Sequence, residues 1–143
     1  MKIEMYQFQQ HGDDRGQLAV LEENKDIPFE VKRVYYLFGT KEGVVRGLHA
    51  HKKLQQILVC VNGSCKIKLD DGLETGIIEL NKPTEGLYVG PDQWREMYDF
   101  SKDAVLLVLA SELYNEEDYI RDYNEFLKWT KEKKNTIAKD GAR

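Results

Sequence analysis

The sequence is poor in the features that mark several large protein classes. No apolar run approaches the roughly 20 residues of a membrane-spanning helix. The first ten residues, MKIEMYQFQQ, hold no apolar stretch of the kind a secretory leader needs, so a cytoplasmic chain is expected. Cysteine is scarce: only Cys60 and Cys65 occur, and in such a compartment two reduced, packed thiols are expected rather than a disulfide. Excess charge of one sign is missing too. A formal net charge of −4 gives no reason to expect nucleic acid or a membrane surface as partner. Internal repeats and low-complexity tracts are absent.

What is present describes a soluble globular domain. Hydrophobic residues make up 41% and charged residues 32% of the 143, which argues against disorder and fits one domain over 1–143. The basic residues Arg15, Arg33, Arg46, Lys52 and Lys53 fall in the N-terminal half. Local positive charge in a mildly acidic chain suits a small anionic ligand.

The pattern is one of short strands. Val31–Phe38 is rich in β-branched and aromatic residues, with Arg33, Tyr35 and Leu37 on one face and Val34, Tyr36 and Phe38 on the other. Further strands are predicted over 17–22, 45–51, 55–61, 64–69, 74–80, 87–89, 94–99 and 104–111, with residues 1–10 as an edge strand or an arm onto a partner subunit. Asn62-Gly63 and Asp71-Gly72 read as tight hairpin turns. The first would set Cys60 opposite Cys65. A β-sandwich or barrel is the expected architecture. From Asn115 the period changes: Asn115 as N-cap, acidic residues 116–118, then Tyr119, Tyr123, Phe126, Leu127 and Thr130 predict an amphipathic helix over 115–134.

The stretch Gly43–Gly63, GVVRGLHAHKKLQQILVCVNG, carries the chemistry. His49 and His51 are two apart, so a strand points both imidazoles to one face. Such a pair either binds a metal or moves protons. The spacing of Gly43, His49, His51, Gln56 and Gly63 resembles the first motif of the cupin superfamily, which implies an all-β double-stranded β-helix, or jelly roll, here with a C-terminal α-helix. Gln56 stands where that family usually has Glu, and Arg95 and Glu96 fall where a further His is expected. Two histidines alone leave a transition metal under-coordinated, so no metal is expected and the pair is free for acid–base work.

A second resemblance spans nearly the whole chain. DDRGQLAVLEENKDIPFEVKRVYYLF, RGLHAHKKLQQILVCVNGSCKIKLDDG, GLYVGPDQW and YNEEDYIRDYNEF are similar to the dTDP-4-keto-6-deoxyglucose 3,4-ketoisomerases, enzymes on the route to 3-amino-3,6-dideoxyhexoses. The resemblance implies a dTDP-linked keto-sugar substrate, no cofactor, a homodimer, and His49 as base with His51 as its partner in proton shuttling. Arg33 and Arg46, supported by Lys52, are the candidates for the pyrophosphate. Gln56 is assigned to the sugar, Tyr35 shares the Arg33 face, and Tyr88 and Trp94 are candidates for stacking on base or sugar. Arg15 and Arg95 bear on the configuration at C4: Arg at 95 goes with gluco products, whereas Arg at 15 resembles the residue that accompanies galacto products. A guanidinium is a poor proton donor to carbon, which favours gluco. The rival expectations are a dTDP-sugar epimerase, a non-catalytic nucleotide-sugar-binding cupin and a metal-dependent cupin oxygenase.

Overall fold

The computed structural model describes residues 1–141; residues 142–143 of the expected domain lie outside the described residues. In chain order the strands are β1 (Met5–Gln7), β2 (Gln9–Asp13), β3 (Gly16–Val20), β4 (Arg33–Phe38), β5 (Arg46–His51) and β6 (Gln56–Asn62). They continue as β7 (Cys65–Asp70), β8 (Thr75–Leu80), β9 (Glu85–Val89), β10 (Trp94–Tyr98), β11 (Val105–Ala110) and β12 (Tyr119–Ile120), followed by helix α1 (Tyr123–Gly141). Two five-stranded antiparallel sheets form, in the orders β1-β9-β6-β11-β4 and β12-β5-β10-β7-β8. This is the expected jelly roll. No helix among the described residues is long and apolar enough to cross a membrane.

Period-two alternation decides what enters the space between the sheets. On β6, Leu58 and Cys60 turn inward to meet Ile67 and Leu69 of β7, Leu87 and Val89 of β9, and Leu106 and Val108 of β11. The alternate residues Ile57 and Val59 turn outward. They are covered by Phe8, Ile27 and Phe29, so the first sheet is buried on both faces there. On β4 the predicted split holds: Arg33, Tyr35 and Leu37 are partly or fully buried, while Val34, Tyr36 and Phe38 are exposed.

Two expectations need correction. Asn62-Gly63 closes no hairpin, because β6 pairs with β9 and β11 whereas β7 pairs with β8 and β10. The segment instead carries the chain from one sheet to the other. Asn62 Nδ2 and the Ser64 amide bond to the 101–103 loop, and a Cβ on Gly63 would lie 2.2 Å from Ser101 Oγ. The two thiols therefore meet across the sandwich and not along a hairpin; both are free and buried, and the Cys60 sulfur beside it, together with burial, pushes the Cys65 thiol up. Asp71-Gly72 does sit in a hairpin, but in a four-residue connection between Asp70 and Thr75.

The helix also begins later. Asn115 caps only a single 3-10 turn, Glu116–Asp118, its side chain accepting from the Glu117 amide. Tyr119 and Ile120 then pair with His51 and Ala50, and this strand pairing outweighs the local helical signal. The helix starts at Tyr123, where Asp122 Oδ1 accepts from the Glu125 amide. It packs Phe126 against Ala50, Trp94 and Ile120 on the outer face of the second sheet.

Phe126 is fully buried. Phe126→Ala is expected to cost about 3–5 kcal/mol, seen as a lower midpoint in chemical denaturation. An unchanged midpoint would show that the helix is not part of the cooperative core.

Candidate active site

The site forms where β5, β10 and β4 converge at one open end of the sandwich. Its geometry depends on a β-bulge. Across the β5/β10 pair Arg95 faces His49, but Glu96 already faces Gly47, so Leu48 is the extra residue, with φ of 56°. Gly47 has φ of 88°, and a Cβ there would lie 2.9 Å from the Arg95 carbonyl oxygen, so only glycine fits. The bulge leaves the Gly47 carbonyl 2.9 Å from His49 Nδ1. A carbonyl only accepts, so Nδ1 carries the proton and Nε2 keeps its lone pair.

His51 lies one residue-pair further along the same face, its ring 4.9 Å from that of His49. Its Nδ1 donates to Asp118 Oδ2 at 3.0 Å, and its Nε2 is buried with no partner among the described residues. Tyr119 packs its ring against both imidazoles, 4.9 Å from His49 and 4.3 Å from His51. Burial, then the charge of Arg95, holds His49 down to about 4 and lowers His51 as well. Both are therefore neutral at pH 7.

Arg95 is the charge at the centre. It is 2% exposed, and burial lowers it only to about 10, so it stays cationic at neutral pH. No carboxylate among the described residues pairs with it. Its Nη1 donates to Gln56 Oε1 at 2.6 Å and its Nη2 to the Gln93 carbonyl, while Nε has no partner among the described residues. Gln56 in turn donates to the Tyr35 hydroxyl at 2.7 Å. A buried cation lacking a counterion is costly unless a bound anion supplies one. The same residues do not fit a metal: the carboxylate position of the cupin pattern holds an amide bonded to a fixed cation. Among the described residues no three His, Cys, Asp or Glu side chains gather as a metal site.

A cavity of about 560 Å³ opens beside His49, lined by Arg33, Tyr35, Arg46, Tyr119 and Arg121, with Tyr36, Phe38 and Tyr114 also in its wall. Arg121 lies 4.1 Å from the centre of the Tyr119 ring and pairs with Glu116. An adjoining cavity of about 370 Å³ touches His51 and Asp118 and shares Arg33, Tyr114 and Tyr119 with the first.

The structure thus brings together His49, His51, Gln56, Arg95, Arg33, Tyr35 and Arg46. It places the other sequence candidates elsewhere, by alternation. Lys52 follows His51, so it points away, reaching the Glu117 carbonyl and the Trp129 ring. Tyr88 lies between the inward Leu87 and Val89 and faces outward to Gln55 and Tyr6. Trp94 precedes the inward Arg95 and packs on Tyr123 and Phe126. Arg15 sits on the exposed β2–β3 turn, paired with Asp13. Sequence reasoning missed Asp118, Tyr119 and Arg121. Local spacing makes them the start of a helix, although YNEEDYIRDY belongs to the segments of the family resemblance.

Comparison with known proteins agrees in length and fold. Residues 1–131 match the family model described as FdtA: WxcM-like, C-terminal. A TDP-4-oxo-6-deoxy-alpha-D-glucose-3,4-oxoisomerase from Aneurinibacillus thermoaerophilus is 55% identical over 129 residues, covering 90% of this chain and 93% of that one. The crystal structure of a 3,4-ketoisomerase from Helicobacter canadensis superposes with a TM-score of 0.88 at 50% identity, covering 92% and 98% of the two chains. A histidine-to-asparagine variant of the 3,4-ketoisomerase QdtA from Thermoanaerobacterium thermosaccharolyticum, in complex with TDP-4-keto-6-deoxyglucose, superposes at 0.89 with 48% identity, covering 91% and 94%.

The lowered histidines make stability depend on pH. Between about 6.5, the unfolded value, and about 4 the unfolded chain takes up a proton that folded His49 refuses, so stability falls as pH falls through that window. The melting temperature is expected to drop between pH 7 and pH 5, and to drop less in His49→Asn. A melting temperature that rises towards pH 5 would mean that the folded site protonates its histidines.

Proposed function

The chain belongs to the FdtA family of WxcM-like, C-terminal proteins, and on that footing we propose that it is a sugar-nucleotide 3,4-ketoisomerase converting TDP-4-keto-6-deoxy-D-glucose to its 3-keto isomer. It is an isomerase of cupin type, and its one domain spans the chain. The observation that carries the proposed mechanism is His49, its Nδ1 committed to the Gly47 carbonyl, beside a buried Arg95 that pairs with no carboxylate among the described residues.

In this reading His49 Nε2 removes the C3 proton. The released electron pair forms the C3=C4 bond, and the 4-keto oxygen becomes an enediolate oxygen that the Arg95 charge stabilises. His51 takes the O3 proton and returns it to O4, C4 receives a proton from water on the ring face opposite His49, and His49 gives its proton to solvent. The product is a 3-keto, 4-hydroxy sugar, and no electrons leave the substrate. Arg33 and Arg46, with Arg121, hold the diphosphate at the cavity. Gln56, fixed between Tyr35 and Arg95, orients Arg95 towards the sugar. H3 and H4 lie on opposite faces of a gluco ring, so the gluco product proposed here takes its C4 proton on the face opposite His49, and the guanidinium at 95, a poor proton donor to carbon, leaves that delivery to water. A 3-keto sugar of this kind suits a following 3-aminotransferase, in cytoplasmic synthesis of 3-amino-3,6-dideoxyhexoses.

We also propose a homodimer. Val34, Tyr36 and Phe38 leave an apolar stripe on the edge strand β4, and the β2–β3 hairpin stands clear with Leu18 exposed. Val34→Asp is expected to shift sedimentation towards monomer; an unchanged mass would place the interface elsewhere.

The enzyme reading is tested by proton NMR of the protein with TDP-4-keto-6-deoxyglucose and a 3-aminotransferase. A 3-amino product is expected, its H3–H4–H5 couplings reporting gluco at C4; unchanged substrate would refute the activity. His49→Asn should abolish turnover with TDP affinity nearly intact, whereas Arg46→Ala should weaken binding more than turnover. A large loss of TDP affinity in His49→Asn would show that His49 is misassigned.

A further inference from the structure

The carboxylate of Asp118 is bound by groups that can only donate, or that donate when neutral. Its Oδ1 accepts from the Lys53 amide at 2.9 Å, and its Oδ2 accepts from the Leu54 amide at 3.2 Å and from His51 Nδ1 at 3.0 Å. Its own carbonyl accepts from the Lys52 amide at 3.0 Å. One residue, 67 positions from His51 in sequence, thus ties down the whole run 51–54 that leaves β5, through its carboxylate at 51, 53 and 54 and its carbonyl at 52. Nothing else among the described residues bonds to the His51 ring nitrogens, and Nε2 is buried without a partner.

We infer that Asp118 is a positioning residue for the isomerisation: it fixes His51 as the Nδ1–H tautomer and so keeps a lone pair on the buried Nε2, where the sugar must deliver a hydroxyl proton. This rests on the reading above, in which His51 carries a proton between O3 and O4. The physical reason is that a neutral imidazole has one donor and one acceptor nitrogen, and the partner of one decides the role of the other. A carboxylate can only accept, so it commits Nδ1 to donating. An unpartnered acceptor held in a buried place is unfavourable without ligand, and a sugar hydroxyl relieves it.

Asn at 118 cannot reproduce this. Turned one way, its carbonyl still accepts from His51 but its NH2 meets the Lys53 amide, donor against donor, at the shorter of the two backbone bonds, 2.9 Å against 3.2 Å, so this orientation is the less favourable. Turned the other way, it meets the Leu54 amide and donates to His51 Nδ1, moving the ring proton to Nε2 and removing the acceptor. Loss of a histidine-orienting carboxylate of this type lowers turnover by roughly 10²- to 10⁴-fold where it changes the tautomer.

The test is ring-nitrogen NMR of 15N-histidine-labelled protein without substrate, together with kinetics of Asp118→Asn. The expected result is His51 protonated on Nδ1 in the wild type. In Asp118→Asn the proton should move to Nε2, with kcat reduced at least 100-fold and KM changed less than about threefold. A wild-type His51 protonated on Nε2 would overturn the inference, as would an Asp118→Asn enzyme that keeps its kcat. If the variant does not fold, the wild-type spectrum decides alone. Absence of isomerase activity in the wild type would count against the proposed reaction, while the substrate-free spectrum would still report whether Asp118 sets the tautomer.

Discussion

A guanidinium buried inside a β-sandwich and paired with no carboxylate among the described residues is the constraint on which the rest of this site depends. Arg95 costs stability as it stands, since its charge has been taken out of water and given only an amide and a carbonyl. Gln56 offers its carbonyl end to Arg95 and its amino end to Tyr35, so both ends are committed. The same charge is one of the two main reasons that His49 and His51 stay unprotonated. It also makes the place unsuited to a metal ion. A neutral pair of imidazoles next to a fixed cation has the groups that the proposed proton transfer calls for.

The jelly roll supplies this arrangement through two local departures from regular strand geometry. The bulge at Gly47–Leu48 accepts a left-handed leucine, and the Gly47 carbonyl becomes the acceptor that sets the His49 tautomer. The short strand Tyr119–Ile120, laid along His51–Ala50, brings Asp118 and Tyr119 over the second histidine. Each histidine is thus oriented by a backbone device from a different part of the chain: an internal bulge for one, an added edge strand for the other. Both devices are local, and both are held in place by the core packing of Leu58, Ile67 and Leu106 on one side and Phe126 on the other.

Much of this was legible in residue order. The alternation of Val31–Phe38 gave the correct faces, and the two-residue spacing of the histidines gave their common side. Alternation also explains why Lys52, Tyr88 and Trp94 lie away from the histidines, each next to an inward-facing residue; side-chain type alone points to them, and strand parity does not. The Asn62-Gly63 turn failed for another reason. Hairpin chemistry describes the turn, but pairing is decided by which strands offer free edges. In a jelly roll the neighbours of β6 are β9 and β11.

The sequence by itself determined the class of fold, the metal-poor ligand set, the histidine pair and the family, because these depend on residue identity and short-range spacing. Only the tertiary structure decided the protonation state and the orientation of the pair. Those depend on burial, on the charge of Arg95 from a strand 44 to 46 residues away, and on a carboxylate 67 residues from the ring it orients. Electrostatics and hydrogen bonding act through space, and nothing in a local pattern records which distant side chain will arrive. Asp118 illustrates the difference: in sequence it is the third acid of a helix start, and in the fold it is the acceptor that orients a buried imidazole.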